Sequence, residues 1–559
     1  MNDETRREFL KKSMALTGSI AAYSALGNAM SGCATKDTRE GESIVIPGAN
    51  QNKRPNIVLI ITDQQRQSQH WPTGWLEEHM PTMARLQNNG VTFTNNYTAA
   101  TACSPSRASF LTGVYPSVHG LKDTPPSPPL RSDITNIFKL AEQAGYDVAY
   151  KGKMHLFNPQ GTPSEQNFSS YDIKWASDHY SFNGWNPPDC ALDPGGEFWI
   201  SGGWPNNDDR YVNGVPDTFN RMTPGVGGGK TILQYLDNHN PNTDKPFLLV
   251  CSFGNPHDIS IWPDQDKWGY NKEDYANIKE INLPSNYDDD LKEKPDAQKQ
   301  FQQLTDKTDP CPTKQDRTEY CRFYAHLHSV VDKQIAAVLD KLDEKRLTDD
   351  TFIFRFADHG EQSWSHQMIQ KGLSSYQETI NVPLIISNPK LFPKGTTTSS
   401  FSSLIDLVPT VAELTGAASA EELKRMGIYG KSLVPVMHDP NATVRDNIMF
   451  YSEDFAHFFN EYLGTTNIYE TVPGKIRSIR FEDWMYAVYF TDSGNKIQYE
   501  MYNLTDDPGE MTNLAWDSRK QANLPRMQDL HDRLTAELKT FKAFPTGFQW
   551  PAKAGTDSV

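Results

Sequence analysis

The sequence predicts an α/β protein. A large domain with a mostly parallel central sheet flanked by helices is followed by a smaller C-terminal α+β domain with an antiparallel sheet. Three observations predict it. Short β-branched runs alternate with amphipathic stretches from residue 55 to about 390. Polar residues able to do chemistry gather where those runs end, as at the ligand-binding edge of a parallel sheet. After about residue 440 the rhythm changes to closely spaced runs and one final helical stretch.

"PNIVLIITDQQR" (55–66) reads as a central strand that delivers Asp63 and Gln64 at its carboxyl end. "MPTMARLQNNGVTFTNNYT" (80–98) reads as a helix, a stop at Gly90 and a strand. "DITNIFKLAEQAGYDVAYKGKMHL" (133–156) repeats that pattern and ends on Lys153 and His155. "KPFLLVCSFGNPHD" (245–258) is a strand leading to His257. "YCRFYAHLHSVVDKQIAAVLDKLDEK" (320–345) is a long amphipathic helix. "DTFIFRFADHGE" (350–361) is a strand ending in Asp358 and His359, and "VPLIISNP" (382–389) is one more. "SIRFEDWMYAVYF" and "KIQYEMYNL" read as antiparallel strands with a helix, 517–541, packed on them.

Residues 160–230 break the rhythm, with Gly, Pro, Trp and Asn throughout. They read as an irregular insertion forming one wall of a cleft, with Trp175, Trp185, Trp199 and Trp204 available for stacking on sugar rings. The expected division is an export signal (1–32), a polar tether (33–53), a catalytic domain (54–440) and a C-terminal subdomain (441–559).

The chain has 559 residues and a net charge of −16. That balance argues against sequence-independent nucleic-acid binding, which needs a basic face. It leaves room for a small cationic pocket that takes an anionic substrate. Arg6-Arg7 ahead of an Ala/Gly/Ser-rich stretch resembles a twin-arginine export signal. Ser31-Gly32-Cys33 resembles a bacterial lipoprotein cleavage site. The expectation is an exported bacterial protein of the periplasm or cell surface, touching the membrane only through a lipid anchor at Cys33. No run approaches the ~18 apolar residues of a spanning helix. Of the other cysteines, Cys311 and Cys321 could bridge in an oxidising compartment, although two chance thiols fit equally well.

Cys103 lies in "YTAATACSPSRASFLTGVYP" (97–116), among Thr, Ser, Pro and Arg and just before a helical run. A structural cysteine prefers apolar surroundings. A helix N-terminus and Arg107 would both favour negative charge on the side chain, so a nucleophile fits better than a core thiol.

Cys103, Pro105 and Arg107, with Leu111-Thr112-Gly113 behind them, resemble the signature of the type I, formylglycine-dependent sulfatases. Val114 stands where that family usually has Arg. Other motifs of the family recur in order across residues 55–515. The resemblance implies an alkaline-phosphatase-like fold and a sulfuric ester hydrolase. It also implies conversion of Cys103 to formylglycine (3-oxoalanine) by a formylglycine-generating maturation enzyme.

By the same resemblance Asp63, Gln64, Asp358, His359 and the hydrated aldehyde at Cys103 hold one divalent ion. Hard oxygen donors make Ca²⁺ the expected ion. Gln64 departs from the commoner Asp-Asp pair, and His359 stands where many relatives have Asn. An imidazole also suits Mn²⁺ or Zn²⁺. Lys153, His155, His257 and Lys371, with Arg107, form the expected catalytic and anion-holding set, with His257 or Lys371 protonating the leaving alcohol and His155 taking a proton from residue 103. Lys151 reads as a solvated surface lysine. His326, His328 and His366 carry no assigned role.

The expected substrate is a sulfated carbohydrate, a fragment of an acidic polysaccharide. Phosphonate and phosphate ester hydrolases of the same superfamily share the Asp-Gln and Asp-His metal pattern, but they typically lack the Lys-x-His pair present here as Lys153 and His155. A choline-sulfatase-like enzyme shares the Asp-Gln start, but the export signal argues against it. A glycan-binding lipoprotein without activity would have lost members of the site, and none is missing.

Overall fold

Asn56–Thr62 is a run of seven residues, all buried, with side chains alternating between two faces. Ile57, Leu59 and Ile61 enter one hydrophobic cluster, while Val58 and Ile60 enter another. A strand covered on both faces belongs in the middle of a parallel sheet, and that is its place. The computed structural model describes residues 54–555 apart from 68, 125–127, 158–169, 187–190, 193–198, 201–230, 243 and 455–467. These all belong to one compact unit, Ile44–Val559. The expectations placed on Arg6, Arg7, Cys33, the tether, Trp204 and the side chain of Trp199 lie outside the described residues.

The main sheet has eight strands: β1 (Asn56–Thr62), β2 (Gly90–Phe93), β3 (Asp147–Gly152), β4 (Asn183–Asn186), β5 (Phe247–Ser252), β6 (Thr351–Ala357), β7 (Leu384–Ser387) and β8 (Thr396–Thr398). Their spatial order is β8-β2-β7-β6-β1-β5-β3-β4. Every pairing is parallel except those of β7, which runs antiparallel to both β2 and β6. The expected mostly parallel sheet is thus observed.

Helix α1 (Cys103–Thr112) packs Phe110 and Leu111 on one face of this sheet. The other face takes Val331, Ile335, Val338 and Leu342 from α3 (Lys314–Glu344), which follows α2 (Ser170–Tyr180) in the chain. Helix α3 starts six residues earlier than its apolar periodicity suggests. Thr313 and Asp316 form a reciprocal capping box that satisfies its first amides.

Beyond the main sheet, β9 (Asn447–Ser452), β10 (Lys475–Phe481), β11 (Trp484–Phe490) and β12 (Ile497–Asn503) form the expected antiparallel sheet, in sequence order. One face packs on Met527, Leu530, Leu534 and Leu538 of α4 (Asp517–Thr540), and the other on Phe301, Leu304 and Tyr376 of the main body. No helix among the described residues is long and apolar enough to cross a membrane.

Three expectations need correction. The 160–230 insertion is not irregular throughout, because α2 leads into β4, which extends the main sheet at its edge. Trp185 is fully buried there and its indole donates to Gly152 O at 3.1 Å, so it is a core residue and no sugar platform. Lys151 is 1% exposed and not solvated, because both faces of β3 are covered. Of the two alternatives left open for Cys311 and Cys321, the structure has two free thiols: Trp262 Nε1 donates to Cys311 Sγ at 3.0 Å, and Cys321 Sγ donates to Ser363 O. Trp175 is half-buried against Phe157, with ring centroids 4.9 Å apart.

Candidate active site

Four neighbouring strands, β6, β1, β5 and β3, point their carboxyl ends to one edge of the sheet. Just beyond those ends come Asp358 and His359, Asp63 and Gln64, His257, and Lys153 and His155. Parallel pairing alone therefore brings residues from four distant parts of the chain together. The turn after β6 depends on Gly360. A Cβ there would lie 1.9 Å from Glu378 O, and the Gly360 amide donates to Thr379 O at 2.9 Å.

Cys103 is the first residue of α1, and all ten residues of that helix are buried. The amides at its start are satisfied by neighbours: Ala102 N donates to Asp454 Oδ2 at 2.6 Å and Ser104 N to Thr124 Oγ1 at 3.2 Å. Gly113 closes the helix with φ 71°, and a Cβ there would press on Ile428 at 2.9 Å. The Cys103 sulfur lies 3.1 Å from His359 Nε2 and 3.8 Å from Asp63 Oδ1.

One turn along α1, Arg107 is wholly buried and holds both aspartates from behind. Its Nη2 donates to Asp63 Oδ2 and its Nε to Asp358 Oδ2, both at 2.9 Å; Nη1 donates to Lys153 O at 2.7 Å and Ser252 Oγ at 2.9 Å. The other oxygen of each aspartate, Oδ1, faces His359 Nε2 at 3.6 and 3.7 Å. His359 Nδ1 lies 3.1 Å from Gly360 O. A proton donated there leaves the Nε2 lone pair facing the carboxylates. A carboxylate oxygen of Asp63, one of Asp358, a ring nitrogen of His359 and Cys103 Sγ converge, all within 4.8 Å of one another and all on buried residues. Two carboxylate oxygens and an imidazole lone pair turned toward a common point repel one another unless a cation lies between them. The donor set therefore fits a divalent ion.

Cations crowd the same place. Lys153 Nζ is 2.7 Å from Asp63 Oδ2 and 3.7 Å from Cys103 Sγ. Lys371 Nζ donates to Gln64 Oε1 at 2.5 Å and contacts His257 Nε2 at 2.9 Å. Burial opposes ionisation of Asp63, but Lys153, His257, Arg107 and His359 outweigh it and hold its carboxyl well below the usual range. Burial, then Lys371 and Lys153, push the His257 imidazole far below its ordinary value. Burial, then Lys153 and Arg107, do the same to His155. Both rings are neutral at pH 7 in this arrangement. His155 has a backbone φ of 58°, a conformation unusual for a side-chain-bearing residue.

The thiol itself departs from expectation. Burial, and next the Asp63 charge, push Cys103 up to about 12, against the opposing pull of Lys153 and Lys371. The Arg107 guanidinium is bonded to both aspartates, so its charge is offset by theirs at the thiol. An unmodified Cys103 is a neutral thiol at physiological pH and a poor nucleophile.

All ten residues singled out from the sequence lie at this sheet edge or in contact with residues there. Gln64 offers its amide oxygen to Lys371, while its Nε2 donates to Gln370 Oε1 at 3.0 Å and to Glu361 Oε2. His326, His328 and His366 lie elsewhere. His328 is buried in the aromatic packing around Trp71 and Tyr324. The reading of the sequence missed Asp454, which accepts from Ala102 N just before the Cys103 helix, and Glu361, which holds Gln64. Glu361 had a signal, since it lies three residues after Asp358 in "DHGE". Asp454 had none.

The Sulfatase family model matches residues 55–417, and one for N-sulphoglucosamine sulphohydrolase, C-terminal, matches residues 365–540. The chain is 24% identical over 535 residues to an N-acetylglucosamine-6-O-sulfatase of Bacteroides thetaiotaomicron, covering 86% of this chain and 87% of the other. Its fold matches an enzyme solved in complex with its substrate D-glucosamine-2-N,6-O-disulfate. That match has a TM-score of 0.65 and 21% identity, and covers 88% of this chain and 99% of the other. A phosphonate monoester hydrolase from Silicibacter pomeroyi matches with a TM-score of 0.61 and 20% identity, over 88% of this chain and 96% of that one. The fold alone therefore does not separate sulfate from phosphonate esters.

Proposed function

The chain belongs to the sulfatase family, and from that premise we propose that it removes sulfate from a sulfated carbohydrate, a polysaccharide fragment. In this reading Cys103 is the precursor of formylglycine, made by a maturation enzyme. Asp63, Asp358 and His359 would hold one divalent ion, Ca²⁺, while Gln64, also expected as a ligand, turns its amide oxygen to Lys371. The carbohydrate class is supported by the relative that acts as an N-acetylglucosamine-6-O-sulfatase. The observation that carries the reading is the convergence of Lys153 and Lys371 on the buried cluster around Cys103.

The bound ion would supply Lewis-acid activation of the hydrated aldehyde at position 103. The chain's own groups do the rest. Arg107 keeps both aspartates aimed at the ion. Lys153 and Lys371 take the non-reacting sulfate oxygens and offset the charge that builds up on them as the ester bond breaks. Lys371 already donates to His257 Nε2, so the two share a proton and together supply it to the leaving alcohol oxygen. The neutral His155 ring takes the proton that must leave residue 103 before sulfate is released. Arg6-Arg7 and Ser31-Gly32-Cys33 support export and a lipid anchor, at the periplasm or cell surface.

The test is a panel of sulfated mono- and oligosaccharides, with released sulfate measured by ion chromatography beside a phosphonate monoester. Release of sulfate is expected from at least one sugar. The peptide containing residue 103 is expected to be lighter than the cysteine form by about 18 Da. Phosphonate cleavage with no sugar sulfate cleaved would overturn the reading in favour of the hydrolases that share its fold.

A further inference from the structure

We propose that Glu361 is a positioning residue that sets which end of the Gln64 amide faces Lys371, and so places the Lys371–His257 pair. The inference rests on the sulfatase reading only for the reaction that reports it.

Glu361 is fully buried. Four donors fill its carboxylate. Oε1 accepts from Tyr320 OH at 3.0 Å, Ser363 N at 2.9 Å and Gln370 N at 2.8 Å, and Oε2 accepts from Gln64 Nε2. Ser363 N and Gln370 N can only donate, which leaves Oε2 to meet the Gln64 amide as its acceptor. At the far end of the same amide, Lys371 Nζ meets Gln64 Oε1 at 2.5 Å. An ammonium group only donates. A group that only accepts and a group that only donates thus lie at opposite ends of one amide, and this fixes its orientation.

The polarity continues outward. Lys371 Nζ donates to His257 Nε2 at 2.9 Å. Ser260 Oγ donates to His257 O at 2.9 Å and lies 3.2 Å from His257 Nδ1, where it can accept. The imidazole then carries its proton on Nδ1 and presents Nε2 to the lysine. The backbone at Gln64 is also fixed, with φ 67°, its N–H donating to Asp358 Oδ1 at 3.1 Å and its carbonyl accepting from Tyr324 OH at 2.7 Å. Only the side-chain amide could turn, and Glu361 prevents that.

A reciprocal exchange tests this. In Glu361→Gln the new amide keeps its carbonyl toward the three donors and turns its NH₂ toward Gln64. The Gln64 amide must then turn too, and its NH₂ meets the Lys371 ammonium. In Gln64→Glu two carboxylates face each other. In the double variant the hydrogen bonds are complementary again and the charge of the pair is unchanged. Each single variant is expected to lose at least about 30-fold in kcat and in affinity for inorganic sulfate, from a buried donor left opposed or a buried charge unpaired. The double variant is expected to come back to within about 5-fold of the parent.

Sulfate affinity is measured by calorimetry and needs no turnover. Melting temperatures of all four proteins show which of them fold. A fully active Glu361→Gln, or a double variant as damaged as the two single losses multiplied together, overturns the proposal. Should Glu361→Gln fail to fold, the double variant decides: folded and active supports the proposal, unfolded or inactive overturns it. If the parent cleaves phosphonate and no sulfate ester, the sulfatase reading fails, and the same four proteins compared on that ester still test Glu361.

Discussion

The two halves of the site are held by different means. The carboxylate half, Asp63, Asp358 and His359, follows directly on strands β1 and β6, with Arg107 bonded to both aspartates at 2.9 Å. Backbone pairing in the sheet places it. The lysine–histidine pair, Lys371 and His257, lies beyond the strands and is placed by a side-chain relay through Gln64 and Glu361. The difference teaches that a rigid sheet edge can fix a cation-binding cluster outright. The proton-carrying pair beside it depends on amide orientation, which a single isosteric change can reverse.

The largest loss is expected at the carboxylate half. Asp358→Ala removes one cluster ligand and leaves the buried Arg107 charge without one of its partners. Turnover is expected to fall by about 10³-fold or more, together with loss of bound metal on elemental analysis. Wild-type activity in a protein shown to be metal-free would end the metal assignment.

A smaller effect is expected at the cation half. Lys371→Met should lower kcat by roughly 10²–10³-fold while the protein keeps its metal. Metal content therefore separates the halves: it is lost with Asp358 and kept with Lys371. If metal is lost in both, the two halves form one unit and the distinction fails.

The smallest catalytic effect is expected from Trp185→Ala. Trp185 is buried and bonded to Gly152 O, so the cost is one of stability, about 3–5 kcal/mol. A thermal melt should show that loss. In the fraction that remains folded, KM for a sulfated oligosaccharide and for a small aryl sulfate should change equally. A selective rise in the oligosaccharide KM would return Trp185 to the substrate wall.

Strands β1 and β6 and the carboxylate half were legible because each strand is a run of buried β-branched or aromatic residues with an aspartate at its end. Cys103 and Arg107 were legible as a pair one helical turn apart. The direction of β7 was not, since an apolar run such as "VPLIISNP" looks the same running either way. Lys151 was misread on residue type alone. It lies inside a strand covered on both faces, where even a lysine is buried. Trp185 was misread because the short strand β4 hides within a Gly- and Pro-rich stretch. The part played by Glu361 could not be read, because its partner Gln64 is 297 residues away in the sequence. The activation expected of the thiol failed for a physical reason: burial and the neighbouring Asp63 charge outweigh the cations around it.

The burial of α1 also sets an order of events. Cys103 opens a helix whose ten residues are all buried, with Asp454 and Thr124 bonded to the amides on either side of it. No second protein can dock on that thiol once the chain has folded around it. If the residue is converted as proposed, the conversion belongs to the newborn chain, and the time available ends when the sheet closes. A molecule that folds unconverted is stranded, and adding the maturation enzyme afterwards would not rescue it without first unfolding the chain.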